Sequence, residues 1–311
     1  MPIERFIISS SPHIRAKDDA RSIMWWFAFS LLFPSAAAVY FFGVKALLLI
    51  IVTTLAAVLS EAAFQWFAKK PITVSDGSAA VTGLLLALIV PSALPLWMAV
   101  IGAAIAVIIV KGLFGGLGFN IFNPALAGRA ILLASWPVAM TSWLRPFDAV
   151  TTATPLYLVN KLHQAVPSYL DLFIGNRAGS LGETSIMMIL IAAAFLYWKK
   201  IIDWPAPAAY IGSVAVFTLL LGRDPVFGIL SGGLVFGAFF MATDYVTCPV
   251  TVKGRFVFGL GCGILTVLIR YFGGFPEGVN YSILIMNMMT PIIDKYMHQK
   301  LFGAVKVKKN G

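Results

Sequence analysis

Hydroxyl side chains crowd into one short stretch of an otherwise apolar chain. Residues 148–159 read DAVTTATPLYLV and place Thr151, Thr152 and Thr154 close together. A threonine before a proline is typical of a helix start, because its oxygen accepts hydrogen bonds from free backbone N–H groups and proline fits the first helical position. The motif TTAT alone favours this capping role and indicates no cofactor. Any further role depends on where the fold places the hydroxyls.

A second polar stretch is FGGLGFNIFNPALAGR, residues 114–129, which combines glycines with an Asn-Pro pair and an arginine. Asn123 before Pro124 predicts a helix start with the asparagine as cap. The small residues would let this helix approach its neighbours closely. Packing is therefore the favoured role, and Asn123 and Arg129 are the candidate binding residues.

Glu61 is the acidic residue that lies deepest in an apolar stretch, within VLSEAAFQW. Carboxylates inside a membrane are costly and are usually functional or paired, so Glu61 could lie on an ion path. It also shortly precedes Lys69 and Lys70, so it could instead reach the membrane interface. Asp76 and Asp244 are interpreted as helix-end residues.

The other residues with metal or acid–base chemistry are scattered. The histidines His13, His163 and His298 fall outside the apolar segments, and none has a second ligand at metal spacing. Cys248 and Cys262 form no CxxC pair, so we interpret them as two buried thiols rather than as metal ligands. The sequence predicts neither a metal site nor a catalytic acid, base or nucleophile.

The composition predicts an all-α integral membrane protein. Of the 311 residues, 59% are hydrophobic and 12% are charged, whereas soluble domains carry about 25% charged residues. The formal charge of +10 could suggest nucleic acid. The cations, however, lie at the ends of apolar segments, which is how membrane topology is encoded. A nucleic-acid partner is therefore not predicted.

Apolar segments recur along the whole chain, and a helix needs about 20 residues to cross the bilayer. Between Asp76 and Lys111 no charge occurs, and Pro91 and Pro95 split residues 78–113 into two short segments. About ten transmembrane helices divide into two five-helix halves, which would be inverted if they are repeats. The ten segments are 23–43, 44–67, 78–91, 95–113, 119–141, 184–198, 205–222, 225–243, 256–272 and 280–294.

The distribution of lysine and arginine predicts the orientation. Most of the 23 cationic residues fall on one side of the membrane if the chain starts inside, and cytoplasmic loops carry such an excess. Residues 1–22 are then a cytoplasmic segment, residues 23–294 the transmembrane domain, and residues 295–311 a basic cytoplasmic tail that attracts anionic lipid.

The longest loop, residues 142–184, then lies on the extracytoplasmic side. Its downstream end contains Ser180 and Glu183, whose spacing predicts a capping box that opens the sixth helix. The threonine cluster is therefore expected outside the cell.

Several blocks resemble the D subunit of the Rnf electron-transport complex and, more distantly, the B subunit of the sodium-pumping NADH:quinone oxidoreductase. They are spread over nearly the whole chain, and their combination is more specific than any one block. The blocks are SPHIR (11–15), DGSAAVTGLLLAL (76–88), FGGLGFNIFNPALAGRA (114–130), GNRAGSLGETS (175–185), DYVTCPVTVKGR (244–255) and GGFPEGVNYSILIMN (273–287).

The resemblance implies two flavin sites. In that family a threonine of a Ser/Thr-Gly-Ala-Thr motif carries covalent FMN, attached by an exported flavin transferase. The aligned residues here are 151–154, so Thr154 would be the acceptor, and Thr152 replaces the usual glycine. Ser180, in the same loop, could pack close to this flavin, or the loop could be a flexible one that only leads into the capped sixth helix. Asn123 and Arg129 would hold a second, non-covalent flavin, riboflavin.

The resemblance also implies a function at the bacterial inner membrane. The chain would be one member of a complex that exchanges electrons between ferredoxin and NAD⁺ and moves Na⁺ or H⁺, so its enzymatic activity would belong to the assembly. The alternative is a stand-alone channel or secondary transporter with inverted halves, because the interrupted helices at 78–113 suit it equally well.

Overall fold

The structure, a computed structural model, describes residues 19–148, 150–160, 162, 168–274 and 278–297. Helices dominate this part of the chain. In chain order they are α1 (Ala20–Phe42), α2 (Val44–Phe67), α3 (Ser78–Ile89), α4 (Leu96–Ala104), α5 (Pro124–Ser135), α6 (Pro137–Met140), α7 (Pro155–Asn160), α8 (Tyr169–Ile174), α9 (Ile186–Trp198), α10 (Pro205–Leu220), α11 (Pro225–Leu230), α12 (Leu234–Phe236), α13 (Val252–Phe272) and α14 (Val279–Tyr296). Two π-helical segments, Ile105–Gly112 and Gly237–Met241, continue α4 and α12.

The predicted interruption within residues 78–113 is confirmed. Helix α3 ends at Ile89, and α4 begins only at Leu96. Pro91 lies in the gap and has no N–H with which to continue the helix, and Pro95 directly precedes α4. The chain therefore turns here between two short helices.

Two further predicted spans are interrupted, which corrects the expected boundaries. In segment 119–141, residues 119–123 are not helical, because α5 begins at the Asn123-Pro124 pair. In segment 225–243, α11 ends at Leu230 and α12 begins at Leu234. Gly232 in that gap has φ +66°, a conformation that glycine adopts readily because it has no Cβ.

The prediction of an all-α protein is wrong in one detail. Strands β1 (Trp143–Leu144) and β2 (Thr151–Thr152) form a two-residue antiparallel ribbon. Val150 and the two threonines are β-branched, a residue class that favours extended backbone. Two of the three threonines of the cluster are therefore held in a strand.

Helix length and apolarity describe a helical membrane protein. Helices α1, α2 and α13 are long and apolar enough to cross a bilayer, and several shorter apolar helices accompany them. The 12 residues of α3 rise only about 18 Å, less than the ~30 Å of hydrocarbon. The number of ten spans and the inverted halves stay predictions.

The helix ends gather at two opposite faces of the bundle. The first face contains the start of α1, the ends of α2 and α9, and the start of α13. Three contacts join these ends: the Trp25 indole donates to the Ser75 carbonyl oxygen at 3.3 Å, Lys199 Nζ lies 4.1 Å from the Trp26 ring centroid, and Arg255 pairs with Asp203. This grouping agrees with the predicted threading, and which face is cytoplasmic stays a prediction.

The second face contains the end of α1, the threonine region and the loops after α10 and α13. The contacts that join it are Phe147 N–H to the Phe41 carbonyl oxygen at 3.1 Å, Tyr169 hydroxyl to the Asp224 carboxylate at 2.5 Å, and Trp97 on Trp136 at 5.4 Å between ring centroids. Lys45, Arg145 and Arg223 are exposed near this face.

Small residues allow the closest helix contacts. A Cβ placed on Gly83 of α3 would stand 2.7 Å from the Thr54 Cα atom and 2.9 Å from the Ala57 Cβ atom of α2. A Cβ on Gly259 of α13 would stand 2.4 Å from the Ala206 carbonyl oxygen of α10. Backbone approach of this kind is typical of helices packed within membranes.

Gly83 therefore supplies a direct test of the packing. We expect Gly83→Ala to destabilise the protein by about 1–3 kcal/mol, because α2 and α3 must move apart. The matched control is Gly212→Ala in α10, where nothing lies within 4 Å of the added Cβ and alanine gains up to about 1 kcal/mol in helix propensity. Melting temperatures in detergent measure both changes. Equal melting temperatures for the two variants would contradict this packing.

Candidate functional site

The threonine cluster lines an open groove at the second face with a volume of about 560 Å³. Its walls combine hydroxyl groups with two aromatic side chains. The lining residues are Thr141, Ser142, Trp143, Thr151, Thr152, Ala153, Thr154 and Tyr157. The groove therefore offers hydrogen-bonding hydroxyls beside apolar ring surface.

The β-ribbon positions one wall of the groove. Thr152 pairs with Trp143, and Thr151 pairs with Leu144. Arg145 N–H donates to the Val150 carbonyl oxygen at 2.9 Å and extends the pairing. As a result Thr151 is exposed and Thr152 is half-buried, so the two hydroxyls differ in their access to solvent.

Thr154 caps helix α7, as the Thr-Pro pair predicts. Its Oγ1 atom accepts a hydrogen bond from Tyr157 N–H at 3.4 Å, and its carbonyl oxygen accepts one from Leu158 N–H at 3.0 Å. Thr154 is only 4% exposed, yet it lines the groove. The capping role is therefore confirmed, and it does not exclude a second role for the hydroxyl.

Helix α7 packs against the interruption between α11 and α12. Leu156 is 1% exposed and lies in a small apolar cluster with Leu172 and Phe227. A Cβ on Gly232 would stand 2.7 Å from the Leu156 Cδ1 atom, so a larger residue at 232 would displace α7. The position of Thr154 therefore depends on the shape of this interruption.

Ser180 does not lie at the threonine groove, and the predicted capping box is wrong. Ser180 is fully buried, and its Oγ atom finds no hydrogen-bond partner among the described residues. The backbone at Ser180 and Leu181 runs alongside the gap between α3 and α4, where Leu181 N–H donates to the Val90 carbonyl oxygen at 3.3 Å. A 3-10 turn follows, and helix α9 is capped by Ser185, which accepts from Met188 N–H at 3.4 Å.

Arg177 and Arg270, which the predicted threading assigns to the extracytoplasmic side, are buried. Arg270 donates to the carbonyl oxygens of Gly228 at 2.7 Å and Ser231 at 3.2 Å. Arg177 donates to the carbonyl oxygens of Leu230 and Gly232. These are the backbone groups that the interruption leaves without helical partners. Sequence reasoning missed this role, although Arg270 lies inside an apolar segment, which is itself a signal.

The second candidate flavin region is a narrow cleft at the first face. Asn123 caps α5 as predicted, since its Oδ1 accepts from Ala125 N–H at 3.1 Å and Leu126 N–H at 3.2 Å. The cleft has a volume of about 60 Å³, and its polar lining includes Asn120, Asn123 and Asp244. Arg129 is buried and is not among the described residues that line this cleft.

Asp244 is a half-buried carboxylate in that cleft, shortly after the π-helical segment. Burial raises its pKa, and hydrogen bonds from Val246 N–H and the Thr247 hydroxyl partly oppose that rise. The interpretation of Asp244 as a helix-end residue is confirmed. Asp76 is confirmed in the same role, because it accepts from Ser78 N–H at 2.8 Å at the start of α3.

Glu61 forms a buried ion pair that sequence reasoning did not predict. Lys111 Nζ donates to Glu61 Oε1 at 2.6 Å and to Ser78 Oγ at 2.5 Å. Ser78 Oγ in turn donates to Asp76 Oδ1 at 2.6 Å. Glu61 is 5% exposed and Lys111 2% exposed, so both charged groups lie inside the protein. The network joins α2, α3 and the end of α4's π-helical extension.

The two cysteines are buried free thiols, as predicted. Burial raises the pKa of the Cys248 thiol to about 12. A thiol with that pKa stays protonated at neutral pH and is a poor nucleophile and metal ligand. The three histidines lie outside the described residues, so their predicted positions are not tested.

The interrupted apolar helices, the two loop-bearing faces and the exposed apolar flanks define a polytopic helical membrane protein. The NQR2, RnfD, RnfE family model matches residues 7–303. The chain belongs to this family, and the resemblance drawn from its sequence blocks is confirmed.

Similar proteins cover nearly the full length of the chain. The D subunit of the Na⁺-translocating ferredoxin:NAD⁺ oxidoreductase complex of Acetobacterium woodii is 48% identical over 307 residues, which are 97% of this chain and 96% of the relative. The D subunit of the proton-translocating ferredoxin:NAD⁺ oxidoreductase complex of Clostridium ljungdahlii is 47% identical and covers 96% of each chain. The D subunit of the ion-translocating oxidoreductase complex of Actinobacillus succinogenes is 35% identical over 96% of this chain and 98% of the relative. These relatives are oxidoreductase subunits by name.

The buried ion pair predicts a non-additive loss of stability. We expect Lys111→Met to cost about 3–5 kcal/mol, because it leaves the Glu61 carboxylate buried without its cation. Adding Glu61→Gln in the same chain should recover most of that loss. Melting temperatures of both single variants and the double variant complete the cycle.

The matched control for this cycle is the Arg255–Asp203 pair, whose side chains are 26% and 55% exposed. Its charge interaction should contribute within about 1 kcal/mol, since solvent screens it. Losses at Glu61 and Lys111 that simply add would show that the two side chains are not coupled.

Proposed function

We propose that this chain is the membrane subunit of an Rnf-type complex that couples electron transfer between ferredoxin and NAD⁺ to Na⁺ or H⁺ translocation. Within it, the chain relays electrons through FMN bound covalently to Thr154. The full-length similarity to named D subunits supports the assignment to the complex. The groove around Thr154 is the observation that carries the flavin assignment.

The groove suits a flavin in size and chemistry. Its volume of about 560 Å³ lies within the ~300–1,000 Å³ typical of small-molecule sites. Tyr157 is 42% exposed and offers a ring face, and aromatic rings stack in offset geometry. Trp143 also lines the groove but is 6% exposed. The Thr152 hydroxyl can donate to a ring or ribityl oxygen. The Thr141 and Ser142 hydroxyls donate to the Pro137 and Val138 carbonyl oxygens, so toward the flavin they can accept hydrogen bonds.

Thr154 is the acceptor that the local geometry favours. Thr154 lines the groove, while its backbone is fixed by the first turn of α7. Esterification would join the Thr154 oxygen to the flavin phosphate of a flavin dinucleotide. The hydroxyl proton is lost, the phosphoanhydride bond breaks and a nucleoside monophosphate leaves, in a step that a flavin transferase would catalyse. Thr151 and Ala153 leave room beside the acceptor, and Thr152 adds a side chain where the family motif has glycine.

The chain's own contribution is placement. A tethered flavin supplies the electron chemistry, whereas the protein fixes its distance to neighbouring redox centres. The second face, which carries the groove, is proposed to lie outside the cell, where an exported transferase can act. The first face, with Lys69, Lys70 and Lys199 at its loops, is proposed to be cytoplasmic.

The covalent flavin is tested with a variant that keeps the helix cap. Asparagine caps helices as well as threonine does, so Thr154→Asn removes the hydroxyl and preserves the start of α7. We expect protein co-expressed with its flavin transferase to give a fluorescent band after denaturing electrophoresis. Thr154→Asn should lose that band, and Thr154→Ser should retain it.

The matched control is Thr141→Ala, which removes another hydroxyl of the same groove and should leave the band in place. A band that persists in Thr154→Asn would show that another residue carries the flavin. A wild-type chain that is colourless and transports a solute alone in liposomes would instead favour the channel or transporter alternative.

We also propose that a non-covalent flavin, riboflavin, binds at the Asn123 cleft. Asn120, Asn123 and Lys111 provide polar groups beside Phe27 and Phe240, a donor set that fits the edge and faces of a flavin ring. The cleft of about 60 Å³ must widen to admit the ring. Arg129 lies in α5, the helix that Asn123 caps, and does not line the cleft.

Acid precipitation separates the two flavins, because only the covalent one stays with the pellet. We expect flavin in the supernatant of the wild-type protein. Asn123→Asp should reduce it about tenfold, since the carboxylate keeps the helix cap but cannot donate a hydrogen bond. The pellet fluorescence serves as the internal control. Unchanged supernatant flavin in Asn123→Asp would remove Asn123 from the site.

A further inference from the structure

A small pocket at the second face contains two arginines and lies apart from both candidate flavin sites. We name it the arginine pocket. Its volume is about 240 Å³, and it is lined by Asn160, Leu221, Arg223, Arg270, Tyr271 and Phe272. None of these described lining residues is acidic, so the pocket combines two positive charges with an amide group.

Arg270 forms the fixed inner wall of the arginine pocket. It is 1% exposed, and its two Nη atoms donate to the Gly228 and Ser231 carbonyl oxygens at 2.7 and 3.2 Å. These bonds hold the guanidinium in one position. The side chain therefore loses no further conformational freedom when an anion binds, which lowers the entropic cost of binding.

Arg223 forms the outer wall and is exposed. Its guanidinium carbon lies 5.9 Å from the centroid of the Tyr271 ring, within the range of a cation–π contact. The neighbouring Asp224 turns its carboxylate to other groups, because it accepts from Val226 N–H at 2.9 Å and from the Tyr169 hydroxyl at 2.5 Å. The hydrogen bond to this carboxylate raises the pKa of Tyr169.

The surroundings of the arginine pocket are apolar and exposed. Leu219 is 63% exposed, Leu220 is 73% exposed, and Phe272 is 72% exposed. These residues end the apolar surfaces of α10 and α13, a position that suits the boundary between hydrocarbon and headgroups. Arginines at this level bind lipid phosphate by charge-assisted hydrogen bonds.

We propose that the arginine pocket binds the phosphate of an anionic phospholipid. Arg223, Arg270 and Asn160 face the phosphate oxygens, and the acyl chains lie along Leu219, Leu220 and Phe272. A free phosphate ion would use the same cations but would gain nothing from the apolar flanks. The bound lipid would brace the end of α7, since Asn160 is its last residue.

The test uses the full-length chain, purified in detergent and stripped of lipid, in native mass spectrometry. Phosphatidylglycerol and phosphatidylcholine with identical acyl chains are titrated separately, and inorganic phosphate is added as a competitor. We expect one tightly bound phosphatidylglycerol that inorganic phosphate does not displace, and weaker binding of phosphatidylcholine.

Two variants separate the headgroup from the acyl contribution. Arg223→Gln should weaken phosphatidylglycerol binding roughly tenfold, because it removes a charged hydrogen-bond donor. Phe272→Gln should weaken it less, and Lys45→Gln, an exposed cation at the same face, should leave it unchanged. Equal losses in Arg223→Gln and Lys45→Gln would overturn the proposal, as would displacement by inorganic phosphate or equal affinity for the two lipids.

Discussion

A helix interrupted within a membrane must find donors and acceptors inside the protein, because lipid supplies none. This constraint shapes the second half of the chain. The gap between α11 and α12 leaves carbonyl oxygens at Gly228, Ser231 and Gly232, and the guanidiniums of Arg177 and Arg270 donate to them. Arginine suits this task because its planar fork offers several donors in fixed directions. These two arginines are buried because the carbonyl oxygens in the gap need hydrogen-bond donors. They therefore differ from arginines at the membrane surface, whose distribution indicates the orientation of the protein.

The threonine groove depends on the same interruption. Leu156 of α7 packs over Gly232, and α7 carries Thr154 at its start. A side chain at 232 would meet both Leu156 and the Arg270 guanidinium, so that glycine lets the two elements meet. The proposed flavin attachment point and the broken helix are thus parts of one packed unit. A shift in the broken helix would move the groove, and this links the redox site to the interior of the bundle.

The features that the sequence predicts correctly are local ones. The helix starts at Asn123 and Thr154 follow from the cap residue and the proline beside it, and the gap before Pro95 follows from proline's missing N–H. The gap at 231–233 contains no proline, so only tertiary contacts reveal it. The capping box at Ser180 has the right spacing but the wrong context, because its backbone runs against Val90. Likewise, Lys111 and Glu61 are 50 residues apart, and a count of cations by segment does not show which ones are buried.

The Glu61 pair also changes what a buried carboxylate implies here. An unpaired carboxylate within a membrane is a natural cation ligand, but Lys111 already occupies the space in front of Glu61 Oε1 at 2.6 Å. A cation that used Glu61 Oε1 would have to displace a lysine that also donates to Ser78 Oγ, whereas Oε2 has no hydrogen-bond partner among the described residues. Moving Lys111 would disturb the end of α4's π-helical extension and the start of α3 together. Cation binding at Oε1 would therefore disturb both short helices, and binding at Oε2 would place the cation beside the Lys111 charge, which disfavours it.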